Sequence, residues 1–259
     1  PYSGEPYISV CGGDPDFSEN EITSVSYEYY SELDALGRCG VCIASVGQDI
    51  MPTEKRGSIG QVKPTGWHTV KYDCVDGKYL YNRCHLIGYQ LAGENANPKN
   101  LITGTRYLNT TGMLPFENEV NDYVDETDNH VLYRVTPVFE GDDLVASGVL
   151  MEAESVEDQG EGVLFCVYVY NVQPGIAIDY ATGESWADGS GSAGSTAGQG
   201  TAGNGSSQNQ SAGSGAAGSS GGGAGSSGSS ATVQTYILNT NSKKFHLPSC
   251  TSVTQMKAA

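Results

Sequence analysis

No run of 18 or more apolar residues occurs in the 259 residues, so no segment is built to cross a bilayer as a helix. Positive charge is scarce: 13 Lys and Arg stand against 30 Asp and Glu, which argues against a surface that clings to polyanions everywhere. Positions 189–234 hold no Asp, Glu, Lys, Arg or aromatic residue, only Gly, Ser, Ala, Thr, Asn and Gln with one Val. Such a segment lacks the apolar surface that would offset its ordering entropy, so it reads as a flexible tether. With its length of roughly 46 residues, its span is on the order of 35–40 Å. The seven cysteines are an odd number with no repeated framework, and they fit a secreted protein with one or two bridges as well as a reduced cytosolic one. The chain opens on Pro1 rather than Met, which fits a mature or trimmed product. Net acidity, many tyrosines and the tether tilt the expected location toward secreted or cell-envelope associated, of bacterial type.

What remains divides the chain into a folded domain over residues 1–188, the tether over 189–234, and a small segment over 235–259. That last segment carries FHLPSC, with His246 and Cys250 as two candidate metal ligands, too few for a closed zinc site. Its three lysines without an acid offer a weak nucleic-acid contact. All 30 acidic residues and 10 of the 13 basic ones lie in 1–188, yet Lys55–Arg106 runs the other way, with eight basic residues against three acidic. One face is therefore suited to an anion while the others repel it.

EITSVSYEYYSELDALGR is expected to be partly helical, and CGVCIAS and GWHTVKYD to be short strands. Asn97-Pro98 marks a turn. MLPFENEVNDYVDET is the clearest helix: Pro115 suits its first turn, and Phe116, Val120, Tyr123 and Val124 form one buried stripe. HVLYRVTPVF, LVASGVLMEAES and GVLFCVYVYNV read as three successive strands, the last apolar on both faces and so expected to be central. The pattern is that of an α+β domain.

Within the one basic region, Arg83, His85, Asn100, Asn109 and Glu117 fall within 35 residues. Phosphodiester hydrolysis needs a base for water, a cation for the developing charge and donors that hold phosphate. His85 is the candidate base, Asn109 a hard oxygen ligand of the kind Mg²⁺ accepts, and Arg83 or Lys99 a phosphate donor. Bland readings stand beside these. Asn109 opens a formal glycosylation sequon or serves as a helix-terminal cap, Glu117 sits where the helix dipole favours any carboxylate, Arg83 fits an ion pair and Asn100 a turn. Cys39 and Cys42 form a CxxC, but no helix follows and no zinc partners are spaced for it, so structural cysteines are expected; His68 is expected to pack.

The ordered segments NRCHLIGYQL, NPKNLITGTRYLNTTG and PFENEV resemble the DNA/RNA non-specific endonuclease family of ββα-metal nucleases, whose signature is DRGH. The likeness covers about residues 36–184, with YRVTPVF and NVQPGIAIDYATGE resembling the closing strands. It implies a ββα-metal core with a mainly antiparallel sheet, His85 as general base, Asn109 as the sole protein ligand of Mg²⁺ (Mn²⁺ a substitute), and Glu117 supporting the water shell. Arg83 would assist catalysis, and Arg56, Lys99, Asn100 and Arg106 would contact the substrate, DNA and by extension RNA. Nothing in the sequence resembles a base-reading helix or an aromatic stacking platform, so phosphate and groove shape are the expected determinants. Asn82 and Cys84 depart from the signature, removing a carboxylate and placing a Cβ where the family has Gly. A Cys84–Cys39 bridge is the first expectation for that cysteine. The departures keep a catalytically impaired, nucleic-acid-binding relative as one alternative. A non-enzymatic surface module is another, and an inhibitor or envelope partner is left open.

Overall fold

The computed structural model describes residues 2–189 together with two short strands further on, Ile237–Asn239 and Lys244–His246. By backbone contacts the chain forms two units, 1–193 and 194–259. The expected tether, and the His246/Cys250 side chains of the terminal segment, lie outside the described residues. In the second unit the two strands pair antiparallel, Leu238 opposite Phe245.

Along the first unit run β1 (Tyr7–Ser9), β2 (Tyr27–Tyr30), β3 (Cys42–Val46), β4 (Tyr81–His85), α1 (Tyr89–Ala92), β5 (Leu101–Thr105), a π-helical turn (Leu108–Met113), α2 (Leu114–Thr127), β6 (Val131–Val138), β7 (Gly148–Ser155), β8 (Leu164–Tyr170), β9 (Ile176–Ile178) and β10 (Ser185–Ala187). Six of these strands make one antiparallel sheet in the order β1-β8-β7-β6-β3-β2. The two-residue period of β6, β7 and β8 sends Val131, Tyr133, Val135, Val149, Met151, Ala153, Phe165, Val167 and Val169 to one face. Against that face α2 sets Phe116, Val120 and Val124, all buried, each contributing on the order of 2 kcal/mol by burial. The alternate residues Arg134, Glu152 and Cys166 stand opposite one another across β6, β7 and β8 on the other face. There the N-terminal segment covers them: Arg134 donates to both Glu152 oxygens at 2.8 Å and to the Asp16 carbonyl at 2.7 Å, and its guanidinium lies 4.6 Å from the Phe17 ring centre.

Several expectations change. Tyr27–Tyr30 is not helical but an edge strand, because its alternating aromatics pair with β3, Tyr29 opposite Ile43. The stretch GWHTVKYD is no strand: only Lys71 bridges to Tyr79, since Gly77 and Lys78 at φ 69° and 68° turn the chain back at once. β8 is penultimate rather than central, flanked by β7 and by the three-residue β1; its second face is buried by the N-terminal segment instead of by further strands. Cys39 and Cys84 are both free thiols. Cys39 donates to the Pro98 and Leu101 carbonyls at 3.2 Å, while Cys84 lies in a regular strand without positive φ, in space that Gly104 leaves open; a Cβ on Gly104 would collide with the Cys84 sulfur. Asn97 caps the turn Pro98–Asn100, accepting from the Lys99 amide at 2.9 Å.

Candidate active site

β4 and β5 form a separate antiparallel hairpin, His85 opposite Leu101, that leads through the π-turn into α2. Why it stays in place is a matter of polar side chains. Asn171, fully buried beyond β8, accepts from the Thr105 amide at 2.9 Å and donates to the Thr103 and Ala146 carbonyls at 3.1 and 2.9 Å. Gln173 accepts from the Tyr107 amide, and the Thr105 hydroxyl accepts from the Leu108 amide while donating to the Val172 carbonyl. These bonds satisfy amides that a helix start leaves without partners. Gly112 lets the π-turn press onto β8, since a Cβ there would run into Val169. Turns of this kind often sit at functional positions, and here the turn carries Asn109.

The hairpin, α1, α2 and the loop at 56–59 enclose a cleft of about 680 Å³ lined by Arg56, Asn82, Arg83, His85, Arg106, Asn109 and Glu117, with Trp67, Tyr79, Tyr81 and Tyr89 among its walls. His85 is only 7 % exposed. Its Nε2 lies 2.7 Å from the Asn95 carbonyl oxygen, which can only accept; Nε2 therefore carries the proton, and the neutral ring keeps its lone pair on Nδ1. Burial holds the imidazole below its ordinary range, the Asn95 carbonyl opposes that, and the Arg56 charge adds to it. Desolvation pushes the Glu117 carboxyl up to about 7, with Arg56 pulling it back. Gly88 makes room for this carboxyl, since a Cβ there would sit 3.0 Å from it. The Asn109 carboxamide faces the cleft and hydrogen-bonds to no other described side chain or backbone group.

The remaining candidates separate. Arg83 lines the cleft but is largely engaged: it donates to the Val62 carbonyl and, at 2.9 Å, to that of Gly60, and stacks 4.0 Å from the Trp67 ring centre. Arg106 lines the cleft with its guanidinium on Asp76 at 2.9 Å. Arg56 is exposed at the rim. Lys99 and Asn100 are absent from the cleft lining, contrary to the expectation that they contact substrate. Lys99 is ion-paired to Glu32, and Asn100 is fully buried, accepting from the Ile87 amide at 2.8 Å and donating to the Ile87 carbonyl at 3.0 Å. Asn100 thus fixes the turn that follows His85. His68 is exposed and bonded to the Thr182 carbonyl at 3.1 Å rather than packed in a core. The aromatic wall was missed from the sequence; its one local signal is the interleaving of Trp67, Tyr79 and Tyr81 with Lys71 and Arg83, and Lys71 indeed lies 4.3 Å from the Tyr79 ring centre.

A family model described as DNA/RNA non-specific endonuclease matches residues 19–157, more than half of the chain. The chain belongs to the DNA/RNA non-specific endonuclease family. Among curated proteins, a deoxyribonuclease of Streptococcus dysgalactiae subsp. equisimilis is 32 % identical over 111 residues, 40 % of this chain and 32 % of that protein, so the match spans about a third of the relative's length. The crystal structure of NucA from Streptococcus agalactiae with magnesium bound is 26 % identical, with a TM-score of 0.61 over 70 % of this chain and 86 % of that one. The Sda1 nuclease with bound zinc, 24 % identical over 71 % of this chain and 97 % of its own, shares the fold with a TM-score of 0.59. The mixed α+β architecture with a mainly antiparallel sheet is that of these nucleases.

The donor set of this endonuclease-family cleft suits a hard divalent cation that keeps most of its waters. It offers a carboxamide with no other partner and a carboxyl that burial makes reluctant to ionise unless positive charge arrives. Among the described residues no three His, Cys, Asp or Glu side chains gather into a metal site, which does not fit a closed structural zinc centre.

Proposed function

We propose that this chain is a Mg²⁺-dependent, sugar-non-specific endonuclease that hydrolyses phosphodiester bonds of DNA and RNA, with His85 as the base that activates water. The observation that carries the reading is the His85 ring: Nε2 is committed to a backbone carbonyl, which leaves Nδ1 as the proton acceptor in a cleft shared with Asn109 and Glu117. Its lowered pKa keeps the ring neutral near pH 7, as a base requires. Asn109 would hold the cation directly and Glu117 would hold its water shell; bound there, Mg²⁺ neutralises charge on the phosphate and the leaving oxygen. Arg56 adds positive charge at the rim. The Asn82 amide nitrogen, buried beside the cleft without a hydrogen-bond partner, is a donor suited to a phosphate oxygen. Mn²⁺ meets the same oxygen donors.

The cleft reads phosphate rather than base edges, and its aromatic wall tolerates any base, which supports action on both nucleic acids. Residues 1–188 form the nuclease domain in this reading, residues 189–234 a tether, and 235–259 a small appended module. A secreted or envelope-associated location is proposed with it; no helix of the described residues is long and apolar enough to cross a membrane.

Nicking of supercoiled plasmid and degradation of single-stranded RNA with millimolar Mg²⁺, each abolished by EDTA and by His85→Ala, are the expected results. The impaired-relative alternative rests on Asn82 and Cys84. Retention of labelled DNA in a gel without cleavage, across Mg²⁺, Mn²⁺ and Zn²⁺, would favour it and overturn the hydrolase.

A further inference from the structure

The back of the main sheet is held by a strap, the N-terminal segment from β1 to Glu21. Its first contacts are ladder bonds to β8, Ser9 opposite Val167, extended by the Val10 amide donating to the Cys166 carbonyl at 3.0 Å. The next residue is Cys11, exposed and in a left-handed conformation at φ 54°, where the strap leaves the ladder and turns over the sheet. Cys166, a free thiol in this structure like Cys11, is fully buried beneath it on the same face as Glu152 and Arg134; its carbonyl is bonded to Val10, the residue before Cys11, and its thiol meets the Cys11 thiol. The other buried cysteines are engaged elsewhere: Cys39 and Cys42 donate to backbone carbonyls, and Cys84 packs against Gly104.

We propose that Cys11 and Cys166 join as a disulfide that staples the strap to the sheet, making this a redox-dependent fastening of the nuclease body. The chemistry is thiol–disulfide exchange with a small-molecule disulfide such as oxidised glutathione, or with a disulfide-bonded oxidoreductase. The exposed Cys11 thiolate attacks the oxidant's disulfide and releases one thiol. Cys166 then gives up its proton and displaces the second thiol from the mixed disulfide. Two protons and two electrons leave the cysteines, one Sγ–Sγ bond forms, and the oxidant's S–S bond becomes two thiols. Burial, and then the neighbouring Cys11 thiol, push the Cys166 thiol up to about 12, which disfavours its thiolate. An oxidising compartment is where such a bond persists.

The staple reaches the cleft through packing. Tyr7 of the strap meets Phe116 edge-on at 4.8 Å between ring centres, and Phe116 in turn meets Phe165 at 4.9 Å. Phe116 is the neighbour of Glu117 at the start of α2, so fastening the strap braces the helix turn that presents that carboxyl. The bond would close a loop spanning most of the domain, where cross-linking restricts the unfolded chain strongly.

The full chain is purified without reductant, incubated with oxidised glutathione, unfolded in denaturant and alkylated, then reduced and alkylated with a second reagent, and its peptides are mapped by mass spectrometry, with the unreduced digest showing which cysteines are linked. The expected result is a Cys11–Cys166 pair carrying the second label, with Cys39, Cys42 and Cys84 remaining thiols. Alongside it, the wild-type midpoint of thermal unfolding should fall by roughly 10 °C on reduction, while Cys11→Ser, an exposed position that leaves the buried partner in place, shows no such change. First-reagent labelling of Cys11 in the oxidised protein, its recovery in a pair with Cys74 or Cys250, or equal midpoints for oxidised and reduced protein would each overturn the proposal. None of these readouts depends on nuclease activity.

Discussion

The six-stranded sheet is held by apolar burial, while the β4–β5 hairpin with its π-turn shares that core through Cys84, Ile102, Leu108 and Met113 and adds a set of directed hydrogen bonds, and the contrast bears on where chemistry can sit. The sheet is fastened by apolar burial: alternate residues of β6, β7 and β8 fill a core against Phe116, Val120 and Val124. The hairpin carries polar residues and depends on directed hydrogen bonds from Asn171, Gln173, Thr105 and Asn100 for its position. Burial is non-directional and tolerant of repacking, whereas a bonded amide fixes a backbone group to within tenths of an ångström. The region that must hold His85 and Asn109 in register is the one that adds the directional kind.

Changes on the hairpin side should therefore damage activity or register, and changes outside it should not. After His85 itself, the largest expected effect is at Asn109. Asn109→Ala should lower plasmid nicking by roughly a hundredfold or more while leaving the thermal midpoint nearly unchanged, and should raise the Mg²⁺ concentration at half activity. Next comes Asn171→Ala, which removes three buried hydrogen bonds outside the cleft lining. Urea unfolding should show a loss of roughly 3 kcal/mol, and activity at low temperature should fall because the π-turn loses its anchor. A loss of stability with activity intact would show that the hairpin is positioned by something else.

Glu117 is smaller in effect and distinctive in its pH dependence. Desolvation pushes its carboxyl up to about 7 against an ordinary 4.5, with Arg56 pulling the other way, so the fold favours the neutral form. The associated stability is complete below pH 4.5 and is lost as pH rises through 7, by about 3 kcal/mol at most in cation-free protein. Glu117→Gln should flatten that part of the pH profile, and Mg²⁺ should restore wild-type stability at pH 8. The smallest effect is expected at Lys99→Ala. Its ion pair with Glu32 is largely solvated and away from the cleft, so stability should change by less than about 0.5 kcal/mol and the nicking rate should stay at wild type.

The same contrast governs what could be read before the structure. α2 and the strands β6–β8 were legible because their apolar residues repeat at the period of the element that buries them. Arg83, His85, Asn109 and Glu117 were identified as candidates from ordered motifs, and the structure brings all four to one cleft. Lys99 and Asn100 lie outside the cleft lining, since nearness in sequence does not say which way a side chain points from a 3₁₀ turn. The Asn171–Gln173 clamp left no local signal, because its partners lie more than 60 residues earlier. The aromatic wall was overlooked for a related reason: Trp67 and Tyr79 flank the reversal at Gly77–Lys78, where no periodicity marks a shared face.

Chemical rescue at position 85 tests the central claim most directly. His85→Ala, folded as judged by circular dichroism and supplied with saturating Mg²⁺, should lose roughly a thousandfold in plasmid nicking and regain part of it in proportion to added imidazole. The recovery should follow the neutral form of the added base as pH is varied. Nicking by the alanine variant at the wild-type rate, or a loss that no concentration of imidazole repairs while the fold and Mg²⁺ response stay intact, would contradict the assignment of His85 as the base.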